Sequence, residues 1–110
     1  MKPYEIRHFV TSGGVDLFLE WFARIRDPVA KVQILKRVNR MEQGNFGDHV
    51  FCGDGVWEMR VDVGAGYRVY YAQSGAAVML LLCGGDKRSQ DGDIRQAKRV
   101  WKEWRQRNAK

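Results

Sequence analysis

The sequence predicts a single α+β domain over residues 1–110, with helices packed against a mainly antiparallel sheet. Apolar and polar residues alternate along 57–63 and 67–72, which is typical of half-buried strands. Apolar residues recur at helical spacing in three other segments, near 16–26, 29–42 and 94–105. The predicted order is an N-terminal strand, a helical hairpin, a three-stranded antiparallel meander and a C-terminal helix.

The N-terminal part of the chain predicts one strand and two helices. Alternation over residues 4–10 indicates the strand. Asp16 is expected to cap the first helix, and Asp27-Pro28 is expected to end it and begin the second, because Asp is a good N-cap and Pro suits the first helical position. The two helices are expected to pack as a hairpin on the sheet. The inward stripe of the second helix is expected to be Val32, Leu35, Val38 and Met41.

The central meander is predicted from three strand-like runs, the third being the continuously apolar stretch 77–83. Gly64-Ala65-Gly66 is expected to form a three-residue hairpin loop, because glycine adopts positive φ without steric cost. If Val63 faces Tyr67, Asp62 opposes Arg68. One open face of this hairpin is then expected to carry Glu58, Arg60, Asp62, Arg68 and Tyr70.

The C-terminal part is predicted to be a polar loop over residues 84–93 followed by a helix capped by Ser89, Asp91 or Asp93. The inward residues of this helix are expected to be Ile94, Ala97, Val100 or Trp101, and Trp104. The outward residues are expected to be Arg95, Lys98, Arg99, Lys102 and Arg105.

Composition favours a polyanionic or acidic partner, since the net charge is +6. Residues 86–110 contain nine Lys and Arg against four Asp and Glu, so they carry +5 of that charge. No apolar run reaches the ~20 residues of a membrane span, and the N-terminus lacks a signal-peptide core. We expect a cytoplasmic protein, in which Cys52 and Cys83 are reduced and no metal site is formed.

Two stretches resemble a known family: W-E-M-R-V-D-V-G-A-G-Y-R-V-Y-Y at 57–71 and L-L-L-C-G-G-D-K-R-S-Q-D-G-D-I-R-Q-A at 80–97. They are similar to RelE/HigB-type toxins of type II toxin–antitoxin systems, and more narrowly to the addiction-module killer protein branch. The resemblance implies a RelE/ParE-like fold and a cofactor-free, metal-independent mRNA interferase that acts on the ribosome and inhibits translation. It also implies a cognate antitoxin, expected to be a HigA-like helix-turn-helix protein.

Carried over by motif, the resemblance places basic catalytic positions at Arg60, Arg68, Lys87 and Arg88. Two positions depart from the best-known branch of the family. Glu58 replaces a lysine, and Asp93 replaces a tyrosine.

Metal-independent RNA cleavage requires positive charge at the phosphorane-like transition state, and fixed guanidinium groups meet that requirement. We expect Arg68 to contact the scissile phosphate with Arg60 beside it. Lys87 or Arg88 would approach as a second clamp.

The general base is expected to be Glu58 or His49, since Glu58 shares the predicted face and a histidine titrates near neutral pH. Tyr70 is expected to stack on an RNA base. Arg95 and Arg99 of the basic terminal helix are expected to bind the RNA backbone.

Two alternatives stay open at this point. A sister branch of the same fold binds DNA gyrase, so the chain could be a ParE-like, non-catalytic growth inhibitor that binds gyrase or another host protein. The departures at Glu58 and Asp93 also allow a non-toxic copy.

Overall fold

The computed structural model describes residues 2–109 and has an α+β fold, which confirms the predicted fold class. Within these residues, three α-helices accompany a five-stranded mixed sheet. The elements are β1 (Glu5–His8), α1 (Leu17–Arg24), α2 (Pro28–Met41), β2 (His49–Gly53), β3 (Val56–Val61), β4 (Tyr67–Ser74), β5 (Val78–Asp86) and α3 (Gln90–Arg107). A 3₁₀ turn, Lys87–Ser89, joins β5 to α3.

The strands lie in the order β1-β5-β4-β3-β2, with β1 parallel to β5 and the other neighbours antiparallel. The sequence analysis missed β2. It also wrongly assigned residues 84–86 to a loop, since β5 continues to Asp86. The overlooked signal for β2 is Asp54-Gly55, which has φ values of 54° and 84° at the turn into β3. Asp-Gly is a preferred pair in tight hairpins that need positive φ at both positions.

The predicted register of the β3–β4 hairpin is wrong by two positions. Val61 lies opposite Tyr67, and Arg60 lies opposite Arg68. The loop is longer than expected because the backbone already turns at Val63, whose N–H donates to the Val61 carbonyl at 3.0 Å. An offset of two leaves each side chain on its predicted face, because side chains alternate with a period of two.

Each face of the sheet is covered by helices. On the first face, α1 and α2 pack over a core whose largest buried members include Phe18, Ile34, Met41, Met59 and Leu81. On the second face, α3 packs over Phe9, Leu80, Leu82 and Tyr70. Ala97 and Trp101 are among the buried residues of α3 in this core.

The predicted inward stripe of α2 is half wrong. Val38 and Met41 are buried, but Val32 and Leu35 are 50% and 45% exposed. Ala30 and Ile34 are buried in their place. A stripe every third residue drifts around a helix of 3.6 residues per turn, so the spacing that stays on the sheet is 30, 34, 38 and 41.

The predicted caps of α1 and α2 are confirmed. The Asp16 carboxylate accepts from the backbone of Leu19 at 3.0 Å, and that of Asp27 accepts from Val29 at 2.9 Å. Ser89 occupies the N-cap position of α3 but makes no side-chain capping bond. Asp86 instead caps the 3₁₀ turn, which fixes the junction between β5 and α3.

The predicted orientation of α3 is confirmed, since Ala97, Val100 and Trp101 are buried. Cys52 and Cys83 are free, and burial raises the pKa of the Cys83 thiol to about 12. Among residues 2–109, no helix combines the length and the apolar character needed to cross a bilayer.

Candidate functional site

A group of charged and polar side chains lies at one end of the second face, between the β3–β4 hairpin and the first turn of α3. We call it the Glu58 cluster, and its members are Glu58, Arg60, Arg68, Tyr70 and Gln90. The strands place four of these residues there because Arg60 faces Arg68 and Glu58 faces Tyr70 across β3 and β4. Directly opposite residues share a face. The prediction that these four share one face is therefore confirmed.

Glu58 is the centre of the cluster and is only 1% exposed. Its carboxylate accepts from Arg60 Nε at 2.8 Å, from Gln90 Nε2 at 2.7 Å and from the Tyr70 hydroxyl at 3.2 Å. Burial alone would raise the pKa of Glu58, but the hydrogen bonds from Arg60, Gln90 and Tyr70 together lower it below its usual value. The group is therefore a stable carboxylate at neutral pH and a weak base.

Arg68 is buried, with 6% of its surface exposed. Its Nε lies 4.0 Å from Glu58 Oε2, and its Nη1 lies 3.8 Å from Asp62 Oδ1. Both distances exceed that of a hydrogen bond, and both nitrogens are buried without a hydrogen-bond partner. An unpaired buried donor typically costs about 1–3 kcal/mol, and more when it is charged. The site therefore has two unused, charged donors in a fixed position.

Arg60 is the more accessible of the two arginines, with 35% of its side chain exposed. Its hydrogen bond to Glu58 raises the pKa of its guanidinium, which stays positively charged. The backbone of Arg60 is held as well, because Arg37 of α2 donates to its carbonyl and also to that of Asp48 at 3.1 Å. The Arg60 guanidinium is therefore the exposed edge of the cluster, and a hydrogen bond from Arg37 holds the backbone of β3 beneath it.

The face is not open as predicted. Tyr70 is fully buried, so the prediction that its ring stacks on an RNA base is wrong. Burial and the charge of Glu58 raise the pKa of the Tyr70 hydroxyl. That hydroxyl donates to Glu58, so Tyr70 positions the carboxylate. The alternation of β4 defined which face Tyr70 occupies, but it carried no information on what covers that face.

His49 does not belong to the cluster, and its prediction as the base of this site is wrong. It pairs with Met59, which lies in the core under α1 and α2, so its side chain is on the opposite face from Glu58. Its ring packs 5.1 Å from that of Trp57 and 5.9 Å from that of Phe46, between centroids. Its Nδ1 is 2.8 Å from the Gly47 carbonyl.

Lys87 and Arg88 are exposed on the 3₁₀ turn that follows β5. They are close to the cluster in the fold because Arg68 pairs with Gly85, two residues before Lys87. The Arg88 side chain is 89% exposed, with Nη2 3.7 Å from Asp86 Oδ2. Both side chains are thus available to a large ligand, and neither is held in place by a strong contact.

The outward face of α3 is basic. Arg95 and Arg99 are exposed, as predicted. An open cleft of about 450 Å³ is lined by Asp54, Lys98, Arg99, Lys102 and Arg105. One carboxylate, that of Asp54, lies 3.5 Å from Lys98 Nζ. The four cations thus form a positive surface along α3, next to the turn between β2 and β3.

Sequence reasoning missed Gln90 as a member of the cluster and Gly85 as a requirement for it. A Cβ built on Gly85 would lie 1.7 Å from Asp93 Oδ2, so only glycine lets the first turn of α3 approach β5. Asp93 accepts from the Ser89 hydroxyl, and burial raises the pKa of its carboxyl. Paired glycines within a strand, here Gly84-Gly85, are the available signal, since they mark close backbone approach.

Groups of three or more His, Cys, Asp or Glu side chains arranged to hold a metal ion do not occur within residues 2–109.

Comparison with known proteins gives one relative and no family model that matches the chain. The relative is a Haemophilus influenzae protein that carries the name "Uncharacterized protein". It is 46% identical over 81 residues, which cover 74% of this chain and 82% of the relative. The chain belongs to the family of that protein. The name of the H. influenzae protein states no activity.

Proposed function

We propose that this protein is the toxin of a type II toxin–antitoxin system, a RelE/ParE-like addiction-module killer protein. In this proposal it acts as a metal-independent, ribosome-dependent mRNA endonuclease that inhibits translation. The observation that carries the proposal is the pair of arginines opposite each other on β3 and β4. Arg60 reaches solvent, and Arg68 holds two buried nitrogens without acceptors.

The oxygens of an RNA phosphodiester would accept hydrogen bonds from these guanidinium groups. Its non-bridging oxygens match the planar fork of arginine, and the charge that develops when the neighbouring 2′-hydroxyl attacks the phosphorus would be stabilised by both residues. Because Asp62 Oδ1 is 3.8 Å from Arg68 Nη1 and the Asp62 side chain is 76% exposed, this carboxylate can swing away when a phosphate arrives. Lys87 and Arg88 would then contact phosphates from the adjoining turn.

Glu58 acts in this proposal as a positioning residue. Its lowered pKa makes it a weak acceptor for the 2′-hydroxyl proton, and its three hydrogen bonds leave it engaged by the protein. It orients Arg60 directly, and its negative charge partly compensates the buried charge of Arg68. The rate enhancement from these residues is therefore electrostatic, a contribution for which one preorganised donor is typically worth about 10²–10³ in rate.

The partners in this proposal are mRNA and the ribosome, bound through the basic surface of α3, and a HigA-like antitoxin. The exposed Arg95 and the cations of the α3 cleft, Arg99 among them, would contact phosphates without reading sequence, so association would weaken steeply with salt. An acidic segment of the antitoxin would cover the same charges and associate quickly with them. The protein would act in the cytoplasm.

A second function, non-catalytic inhibition of DNA gyrase or another host protein, is favoured by the lack of a free acid or base in the Glu58 cluster. The Glu58 carboxylate accepts hydrogen bonds from its neighbours, Tyr70 is buried, and His49 lies on the other face of the sheet. The cluster thus lacks an exposed group of neutral pKa to move protons, which a ParE-like binder does not need.

Brief induction of the protein in a bacterial host, followed by primer-extension mapping of transcripts, separates the two functions. The endonuclease proposal expects new 5′ ends within translated messages, which disappear in an Arg68→Met variant. Intact messages together with a DNA-damage response would instead support gyrase binding. Growth without arrest, from a soluble and folded protein, would contradict both.

A further inference from the structure

A second charged site lies at the same end of the sheet as the Glu58 cluster, but on the face covered by α1. It is an open cleft of about 280 Å³ between the end of α1, the β3–β4 loop and the 3₁₀ turn. We call it the arginine cleft. Its side chains that bear on binding are Trp21, Arg24, Arg26, Tyr67, Asp86 and Arg88.

Two half-buried aromatic rings form the floor of the arginine cleft. The centroids of Trp21 and Tyr67 are 6.3 Å apart, with the ring planes inclined by 59°. The Trp21 ring packs directly on the backbone of β5, since a Cβ built on Gly84 would lie 2.1 Å from its Cε3. Backbone contact on one side thus holds the indole in place and leaves part of its surface available to a ligand.

Three arginines surround this floor, and they are only weakly engaged. Arg24 lies 3.5 Å from Glu20 and Arg88 lies 3.7 Å from Asp86, in pairs whose arginines are exposed and which contribute little to stability. The Asp86 carboxylate is already committed to the backbone of the 3₁₀ turn. With Arg26 also lining it, the cleft carries an excess of two positive charges.

Aromatic rings beside exposed guanidinium groups are the combination that binds single-stranded nucleic acid, in which bases stack and phosphates pair with arginine. The position of the cleft suits such a ligand. Tyr67 and Arg68 are consecutive in β4 and point to opposite faces, so the arginine cleft and the Glu58 cluster lie on either side of the β3–β4 loop. A single-stranded nucleic acid that lies across this loop would contact both sites.

We propose that the arginine cleft is an RNA subsite that binds a nucleotide flanking the cleaved phosphodiester. Trp21 and Tyr67 stack with its base, and Arg24, Arg26 and Arg88 hold the adjacent phosphates. The inference rests on the proposed endonuclease function for its placement along the substrate. It concerns binding alone, so it can be tested apart from cleavage.

The test measures the affinity of the purified protein for a short, fluorescein-labelled 2′-O-methyl RNA, which cannot be cleaved through its 2′-oxygen. Fluorescence anisotropy is recorded at several salt concentrations. The double variant Arg24→Gln/Arg26→Gln is compared with Lys36→Gln/Arg40→Gln, which removes the same charge from an exposed part of α2 outside the cleft.

We expect the cleft variant to bind on the order of 10-fold more weakly than wild type, with a salt slope shallower by up to about 1.4, since each phosphate contact on single-stranded nucleic acid contributes about 0.7. The α2 variant should bind nearly as wild type does. Trp21→Leu should weaken binding by about 5-fold or more through lost stacking, with thermal unfolding as the check that the variant is folded.

Equal weakening by the two double variants would overturn the inference, because it would show a purely non-specific charge effect. RNA affinity unaffected by the cleft variant would also overturn it and would point to a protein ligand for the cleft. If wild type binds this RNA in the expected pattern but neither arrests growth nor cuts messages, the endonuclease proposal fails while the cleft stands as an RNA-binding site. If wild type cuts messages and the cleft variant binds normally, only the subsite fails.

Discussion

The sheet face under α3 has two halves that differ in what they bury, one on β5 and the residue after β1, the other on β3 and β4. One half is apolar and packs Phe9, Leu80 and Leu82 against the middle of α3. The other half holds the Glu58 cluster, in which Arg68 is buried without hydrogen-bond partners for two nitrogens. Burial of apolar area stabilises the fold by about 25 cal/mol per Å², whereas an unpaired buried charge destabilises it. Stability is thus concentrated in the first half, and the second half retains groups suited to binding an anion.

The largest effect on stability is expected in the apolar half. Leu82→Ala should lower the free energy of unfolding by about 2–5 kcal/mol, because Leu82 is fully buried and its truncation leaves a cavity in the core. Urea denaturation measures the loss. The matched control is Leu35→Ala on α2, where the side chain is 45% exposed and the loss should be far smaller. Equal losses at the two positions would show that this half of the face does not dominate stability.

An intermediate effect on the free energy of unfolding is expected when Glu58, at the centre of the polar half, loses its charge. Glu58→Gln should cost about 1–3 kcal/mol at neutral pH, because the amide cannot accept all the hydrogen bonds now made to the carboxylate. The exposed Glu103→Gln is the control.

The same variant has a predicted pH dependence. Folding lowers the pKa of Glu58, so its contribution is fully present above the usual glutamate value of about 4.3 and is lost as the pH falls through the folded-state value. The stability difference between wild type and Glu58→Gln should therefore shrink on acidification. A difference that grows below that pH would mean that Glu58 is destabilised in the folded state.

The smallest effect on stability is expected at the exposed edge of the cluster. Arg60→Gln removes the ion pair to the buried Glu58, but the glutamine amide can still donate to that carboxylate, so the cost should stay below that of Glu58→Gln. Message cleavage should nevertheless fall by about 10²–10³, because a transition-state charge partner is lost. Primer extension and urea denaturation of the same variant check both statements. Unimpaired cleavage would remove Arg60 from the proposed site.

Patterns of local chemistry predicted the fold class, the helix caps at Asp16 and Asp27, and the face on which each central side chain lies. These features depend on the spacing of apolar residues and on residues that are adjacent in sequence, so they can be predicted from one sequence. The face assignment of Arg60 and Arg68 held even though the register was wrong, because an error of two positions preserves the alternation.

The parts that escaped prediction depend on contacts between distant segments. Tyr70 and Arg68 were expected in the open, but the first turn of α3 lies over that end of the sheet, with Gln90 bonded to Glu58. His49 was expected as an alternative base because a histidine titrates near neutral pH, and only its pairing with Met59 in β2 shows that it faces the other way. Alternation assigns a face to a residue but does not identify the element that covers it.

The most direct test of the central claim combines stability and activity in one Arg68→Met variant. Two nitrogens of Arg68 make no hydrogen bond, and Glu58 keeps its hydrogen bonds from Arg60, Gln90 and Tyr70 when Arg68 is replaced, so we expect a free energy of unfolding within about 1 kcal/mol of wild type. We also expect complete loss of growth arrest and of new 5′ ends in messages. A folded Arg68→Met protein that still arrests growth and cuts messages would contradict the account.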